Sequence, residues 1–113
     1  MNISYEFDKG VLFIRINGFF TKDCIGLFKE EVIPILEYNE FRYIVFNFSN
    51  VKDVDYYGAK NLKKVSKLIR KWNGKIVICN IKNYLLDKII YYKVDKKCKL
   101  LNNELNAFRS FNL

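Results

Sequence analysis

The side chains that enzymes use most often for acid–base and nucleophilic chemistry are absent or scattered in this sequence. It contains no histidine, which removes the commonest general base and every Ser-His or Cys-His nucleophile pair. Cys24, Cys79 and Cys98 are widely separated and form no C-x-x-C pair, so their spacing indicates neither a zinc site nor a disulfide framework. No phosphate-binding glycine loop or nucleophile elbow is present. We therefore expect no enzymatic activity, no metal and no cofactor.

Two carboxylates, Asp53 and Asp55, lie close together, but they lack the further oxygen ligands that a divalent cation needs. Asp55 immediately precedes a helical pattern, where a carboxylate can accept a free backbone N–H of the first turn. Before it, residues 43–48 form a β-branched and aromatic run that predicts a strand, and residues 49–53 predict a turn. A strand, a short polar loop and a helix start form an exposed corner on a rigid frame, where small α/β domains often carry function.

The rest of the chain predicts the elements that position this corner. Predicted strands cover residues 3–7, 11–16, 43–48, 75–79 and, more briefly, 98–101. The first predicted helix runs up to Tyr38, with Thr21 or Asp23 as its expected N-cap and an interruption at Pro34. Further predicted helices cover residues 57–72, 80–92 and 103–108. The order β-β-α-β-α-β-α-β-α predicts one α/β domain over residues 1–113, with a mixed, mostly parallel sheet of about five strands and about four helices.

The second predicted helix is amphipathic and strongly basic on its outer face. Its apolar stripe is Leu62, Val65, Ile69 and Trp72. Its cationic arc is Lys60, Lys63, Lys64, Lys67, Arg70 and Lys71. Residues 1–58 carry 6 basic and 9 acidic side chains and residues 59–113 carry 14 basic and 3 acidic, so the net charge of +8 comes from the second half. This asymmetry favours an acidic protein, nucleic acid or anionic lipid as partner, and a solvated helix face is the alternative.

The strand and corner carry a family resemblance. The run 44–48, the apolar residues Val51 and Val54, and then Asp55-x-x-Gly58 resemble the signature of STAS domains. These domains occur in bacterial anti-sigma factor antagonists, in stress-signalling scaffolds and in the tails of sulfate transporters. The element order is similar to the STAS fold along nearly the whole chain, and the likeness is strongest over residues 42–62 and 74–79.

The chain departs from the family pattern where the family carries its switch. STAS domains usually read Asp-Ser-Ser-Gly or Asp-Ser-Thr-Gly at the corner, and a partner kinase phosphorylates the first hydroxyl residue. The resemblance makes Tyr56 the phosphoacceptor-equivalent position, with Tyr57 next to it, so we expect the serine switch to be lost. The family often has acidic residues in the loop after the second strand. Here that loop beside the site is expected to contain Phe19, Phe20, Thr21 and Asp23.

Both aromatic pairs have two interpretations. The phenylalanines are either core residues or, with the tyrosines, part of an exposed aromatic patch of the kind enriched at interfaces. One tyrosine is expected to pack under the helix if the pair has no binding role.

The resemblance implies a bacterial regulatory domain that binds a protein partner, either an anti-sigma factor of the kinase-like type or a scaffold component, through the loop and helix start at Asp55–Lys64. The expected partner-binding residues are Asp55, Tyr56, Tyr57, Gly58, Lys60, Asn61 and Lys64. One alternative is a nucleic-acid-binding domain that uses the basic face of the second helix. Another is a scaffold subunit of a membrane-associated assembly. Because the sequence has no signal-peptide pattern and no apolar run of ~20 residues, we expect a cytoplasmic location.

Overall fold

The computed structural model describes all residues from Met1 to Leu113, and its centre is one five-stranded sheet. The strands are β1 (Asn2–Asp8), β2 (Val11–Phe20), β3 (Tyr43–Val54), β4 (Lys75–Cys79) and β5 (Lys99–Leu101). They lie side by side in chain order. The β1–β2 pair is an antiparallel hairpin, and β2, β3, β4 and β5 are mutually parallel. The predicted mixed, mostly parallel sheet is confirmed.

Four helical segments connect and cover the strands. The first joins α1 (Ile25–Leu27), a π-helical turn (Phe28–Val32) and α2 (Ile33–Tyr38), and the others are α3 (Tyr56–Arg70), α4 (Asn83–Tyr91) and α5 (Glu104–Ser110). The predicted element order is therefore confirmed. The π-helical turn ends two residues before Pro34, which cannot donate a helical hydrogen bond and whose ring crowds the preceding turn. No helix has the length and hydropathy needed to cross a bilayer.

The two faces of the sheet are covered very unequally. The face under the first three helical segments holds a cluster of 24 buried residues, among them Phe20, Phe28, Phe46 and Leu62. The opposite face holds a cluster of 7, namely Val11, Phe13, Val45, Val77, Cys79, Ala107 and Phe111. Because β3 and β4 are buried on both faces, they read as continuous apolar runs in the sequence.

An ionic cluster fastens α5 to the smaller face. The Arg15 guanidinium donates through Nε and Nη2 to the two carboxylate oxygens of Glu104, at 2.8 and 2.7 Å. Asn47 Nδ2 donates to Glu104 Oε2 at 2.7 Å, and Arg15 Nη1 donates to Glu6 at 2.8 Å. The hydrogen bonds from Arg15 and Asn47 lower the pKa of Glu104. Asn103 is the N-cap of α5, and its side chain accepts a hydrogen bond from the backbone N–H of Asn106.

Two local predictions are wrong. Residues 49–53 are not a turn, because β3 continues to Val54. It pairs there with β2, which also runs beyond its predicted end, so that Gly18 lies opposite Val51 and Phe20 opposite Val54. Pairing with a neighbouring strand thus overrides the turn preference of Asn and Asp. The first helix also has no side-chain cap from Thr21 or Asp23. The backbone carbonyl of Thr21 accepts the N–H groups of Cys24 and Ile25 instead.

Candidate functional site

The corner between β3 and α3 is held by the carboxylate of Asp55. Its Oδ1 accepts the backbone N–H of Gly58 at 2.9 Å, which confirms the predicted N-cap of α3. Its Oδ2 accepts the backbone N–H of Lys22 at 2.8 Å, so the same side chain also fixes the segment that leaves β2. A capping bond contributes about 1 kcal/mol, and a charged acceptor strengthens such a bond. Asp55 therefore joins the two chain segments that form the corner.

Close packing makes this corner rigid. A Cβ atom added at Gly58 would lie 2.0 Å from the carbonyl oxygen of Phe20 and 2.7 Å from its ring. Only glycine lets the first turn of α3 approach the end of β2 so closely. Phe20 is fully buried, and its ring meets Phe28 and Phe48 at centroid distances of 4.9 and 5.7 Å. The helix start is thus built directly on the larger core.

On this frame the two tyrosines point outwards. Tyr56 is 52% exposed and Tyr57 is 42% exposed, so neither is packed under the helix. Their rings meet edge to face at 5.4 Å, and the Lys22 ammonium lies 5.1 Å from the centroid of the Tyr57 ring. Edge-to-face packing and the cation–π contact hold each ring in place without burying it. The corner therefore presents ordered aromatic surface to solvent.

The aromatic surface continues onto α4. The rings of Tyr56 and Tyr92 are 6.2 Å apart, and those of Tyr92 and Tyr91 are 5.1 Å apart. We call these four residues (Tyr57, Tyr56, Tyr92 and Tyr91) the tyrosine row. The sequence prediction missed Tyr91 and Tyr92 as site residues. Two adjacent tyrosines at the end of a predicted helix were visible in the sequence. Their position at the corner was not, because it depends on the packing of α4 against the C-terminal end of β3.

Three predicted site residues are inside the protein and cannot touch a partner directly. Gly58 is buried against Phe20, and the Phe20 side chain itself is core. Phe19 and Phe20 are the last two residues of β2, so the prediction that they belong to a loop is wrong. Asn61 is only 6% exposed, and its Nδ2 donates to the Tyr57 carbonyl at 2.8 Å. Asn61 therefore supports the tyrosines from within.

The remaining predicted residues are accessible. Lys60 and Lys64 are exposed on the outer face of α3, and Asp23 is exposed beyond Thr21, which is half-buried. Phe19 is 48% exposed, and the Lys52 ammonium lies 5.8 Å from the centroid of its ring. Phe19 forms no ring pair with the tyrosines, so the exposed aromatic surface at the corner is the tyrosine row rather than the predicted mixed patch.

The second carboxylate has a separate role. Asp53 Oδ1 accepts the Lys88 ammonium at 2.6 Å and the backbone N–H of Val54 at 2.9 Å. The hydrogen bond from Lys88 lowers the pKa of Asp53, and the same bond raises the pKa of Lys88. The Tyr84 hydroxyl donates to the Lys52 carbonyl at 3.0 Å beside this pair. Asp53 thus ties α4 to the end of β3, and Asp55 caps α3.

Comparison with known proteins agrees with the fold. A family model for the STAS domain matches residues 2–107, so the chain belongs to the STAS domain family. A protein from Thermotoga maritima superposes with a TM-score of 0.90 over 98% of this chain and 95% of that chain, at 15% identity. An anti-sigma factor antagonist from Mycobacterium paratuberculosis gives 0.82 over 99% and 94%, at 18% identity.

The same fold also occurs inside a much larger protein. The murine anion transporter Solute Carrier 26 family member A9 superposes with a TM-score of 0.77 over 91% of this chain and 18% of that chain, at 19% identity. At these identities the likeness establishes the fold alone. No curated protein sequence gives a match.

Proposed function

We propose that this STAS domain is a non-catalytic docking protein that binds a protein partner through the corner from Asp55 to Lys64. The observation that carries the proposal is the exposure of Tyr56 and Tyr57 on a frame fixed by Asp55 and Gly58. Tyrosine is enriched at protein interfaces because it combines a large contact area with few rotatable bonds. Its rings here are ordered before any partner arrives, which lowers the entropy cost of binding.

Charge complements the aromatic centre. Lys60 and Lys64 lie one and two turns into α3 beyond the tyrosines, and both are exposed. An acidic rim on the partner would pair with them, accelerate the encounter and orient it. Tyr91 and Tyr92 enlarge the contact surface towards α4. A partner that covered the tyrosine row and these lysines would bury an area of the order of the ~800 Å² per side that specific complexes use.

The chemistry at the corner favours a docking state that is always available. Tyr56 stands where the family resemblance places a phosphorylated serine, and its phenol oxygen lies several ångströms farther from the backbone than a serine hydroxyl. A kinase shaped for serine at this corner would not reach the same geometry. The partner class we propose is the one the family resemblance implies, an anti-sigma factor or a scaffold component.

The test is affinity capture with two tyrosine variants of equal chemistry. Tyr57→Asp places a charge at the centre of the proposed interface, and Tyr38→Asp places it on a residue that is 85% exposed at the end of α2. Wild type and the Tyr38 variant should capture the same protein from cells of the source organism, identified by mass spectrometry, and the Tyr57 variant should not. Equal capture by both variants, with circular dichroism showing intact folds, would contradict the proposed docking surface.

A further inference from the structure

A shallow depression of about 590 Å³ lies over the solvent face of α3. Seven of its ten lining residues are cationic and none is acidic. A second depression of about 260 Å³ shares Arg70 and Lys97 with it and continues to β4 and to the end of α5. We call the two together the basic track. Its cationic residues are Lys29, Lys60, Lys63, Lys64, Lys67, Arg70, Lys75, Lys97 and Lys99.

No track cation forms an ion pair, although Glu37 lies in a neighbouring depression beside Lys64 and Lys67. The three ion pairs all lie elsewhere, two of them at Arg15 and one at Lys88. Within the track, Lys63 donates to the carbonyl of Tyr92 at 3.0 Å and Arg70 Nε donates to the carbonyl of Ser66 at 3.4 Å. Like charges one turn apart on a helix repel, which slightly destabilises α3. An external anion would relieve this repulsion.

The tyrosine row adjoins one end of the track. Tyr57 lines the larger depression, and the hydrogen bond from Lys63 to the Tyr92 carbonyl places a track cation against the row. The rings of the row meet edge to face at 68–83°, an arrangement that covers less ring surface than face-to-face stacking, although Lys22 lies over one face of Tyr57. Tyr91 is 77% exposed at the outer end. Aromatic platforms and a continuous cationic path thus lie side by side.

We infer that the basic track and the tyrosine row bind single-stranded nucleic acid, with phosphates along the track and unpaired bases stacked on the tyrosines. Lysine is depleted at protein–protein interfaces, whereas nucleic-acid interfaces are much more positively charged. A cationic groove beside aromatic rings is the arrangement with which proteins hold single strands. A duplex has no free base faces to offer the tyrosines. This activity is additional to the protein docking proposed above. It shares the tyrosine row, Lys60 and Lys64 with that docking surface, so the two ligands would compete there, and it extends beyond Lys64 along the flank of α3.

The length of the track sets the size of the oligonucleotide. From Tyr57 to Arg70, α3 is about 20 Å long, at 1.5 Å per residue. Single-strand-binding domains cover about 4–16 nucleotides. A 12-nucleotide probe is therefore long enough to occupy the track and the row together.

The test is fluorescence anisotropy of the full chain with fluorescein-labelled dT12 and rU12, alongside a 12-base-pair duplex and a 12-residue polyglutamate. The single strands should bind most tightly at low salt. Their log–log salt slope should be about −3, since single strands give roughly −0.7 for each of about four neutralised phosphates. Tyr91→Ala should weaken single-strand binding about fivefold or more through lost stacking and leave polyglutamate binding unchanged.

Two double variants with the same net charge distinguish binding at the basic track from nonspecific attraction by the overall charge of the protein. Lys64→Glu with Lys67→Glu, and Lys82→Glu with Arg109→Glu, each lower the net charge from +8 to +4. Only the first pair alters the track, and it should reduce dT12 affinity at least about tenfold relative to the second. The inference is overturned by equal losses in both pairs, by the absence of single-strand binding at low salt, or by polyglutamate or duplex binding as tight as dT12.

Discussion

The two faces of the sheet differ in how they are built, and the proposed docking corner stands on the one with the larger core. The face under α1 to α4 is closed by 24 buried residues, and the face under α5 is closed by 7. The corner with Tyr56 and Tyr57 stands on the first face, where Gly58 packs directly on Phe20. The second face depends on a short helix and on the ionic cluster around Glu104. The larger core thus supports the corner that we propose as the docking surface.

The sharpest test of this rigidity is Gly58→Ala. The added Cβ would overlap the backbone carbonyl of Phe20, which cannot rotate away, so we expect a loss of about 3 kcal/mol in the free energy of unfolding, measured by urea denaturation. Gly26→Ala is the matched control. Its Cβ would meet nothing within 4 Å, and alanine favours the helix by about 0.5–1 kcal/mol, so this variant should be as stable as wild type or more so. Equal effects at the two glycines would contradict the account of the corner.

The next test compares one phenylalanine from each face. Phe28→Ala opens a cavity in the larger cluster and should cost about 4 kcal/mol, within the usual range for a buried phenylalanine. Phe111→Ala, in the smaller cluster at the end of α5, should cost about 2 kcal/mol because the helix end can relax around the gap. Hydrogen exchange should show the second variant losing protection in α5 and retaining it in β3. Equal losses in the free energy of unfolding would mean that the two faces of the sheet contribute equally to stability at these positions.

A smaller effect is expected when the ionic cluster is neutralised. Glu104→Gln replaces the carboxylate that accepts from Arg15 and Asn47 and should cost about 1–2 kcal/mol at pH 7. The pKa of Glu104 is lowered in the folded state from a usual value of 4.5, so its contribution is complete above pH 4.5 and is lost as the pH falls through the lowered pKa. The stability difference between wild type and variant should therefore shrink below pH 4.5. A constant difference down to pH 2 would assign it to packing.

The mildest test uses the two buried thiols as reporters of the two faces. Cys79 lies under α5, Cys98 lies in the larger cluster, and burial raises the pKa of each to about 12. Both should react slowly with a thiol reagent in the wild-type protein, because neither is exposed or ionised at pH 7. Glu104→Gln should accelerate the labelling of Cys79 and leave Cys98 unchanged, as read by peptide mass spectrometry. Acceleration at both thiols would indicate global rather than local opening.

Most of the helices and strands around the larger core could be predicted from the sequence, but fewer of the contacts that form the candidate site could. Apolar runs and the helical spacing of Leu62, Val65 and Ile69 were sufficient for the element order, and Asp55 before a helical pattern was sufficient for the cap. The extension of β3 to Val54 was missed because its cause is pairing with β2, far away in the chain. Asn61 was predicted as a contact residue, but it precedes Val65 by four positions and so lies at the edge of the apolar stripe, where the fold buries it.

The tyrosine row could not be predicted from the sequence, because it also depends on contact between segments that are far apart in the chain. Tyr92 lies 35 positions or more from Tyr56 and Tyr57. The rings meet because Leu85 and Ile89 pack α4 onto the larger core and Lys88 pairs with Asp53 at the end of β3. Local propensity determines elements, whereas the contacts between elements determine which exposed side chains become neighbours.

If the tyrosine corner, and not the α5 face, binds the protein partner, then substitutions at the corner alone should weaken binding. Calorimetry with the purified captured partner measures this, using Tyr56→Ala with Tyr57→Ala at the corner and Leu105→Ala on α5, where the side chain is 55% exposed. The corner variant should raise the dissociation constant at least about tenfold, or about 1.4 kcal/mol, while the α5 variant should leave it unchanged. An unchanged dissociation constant for the corner variant would contradict the proposed docking surface.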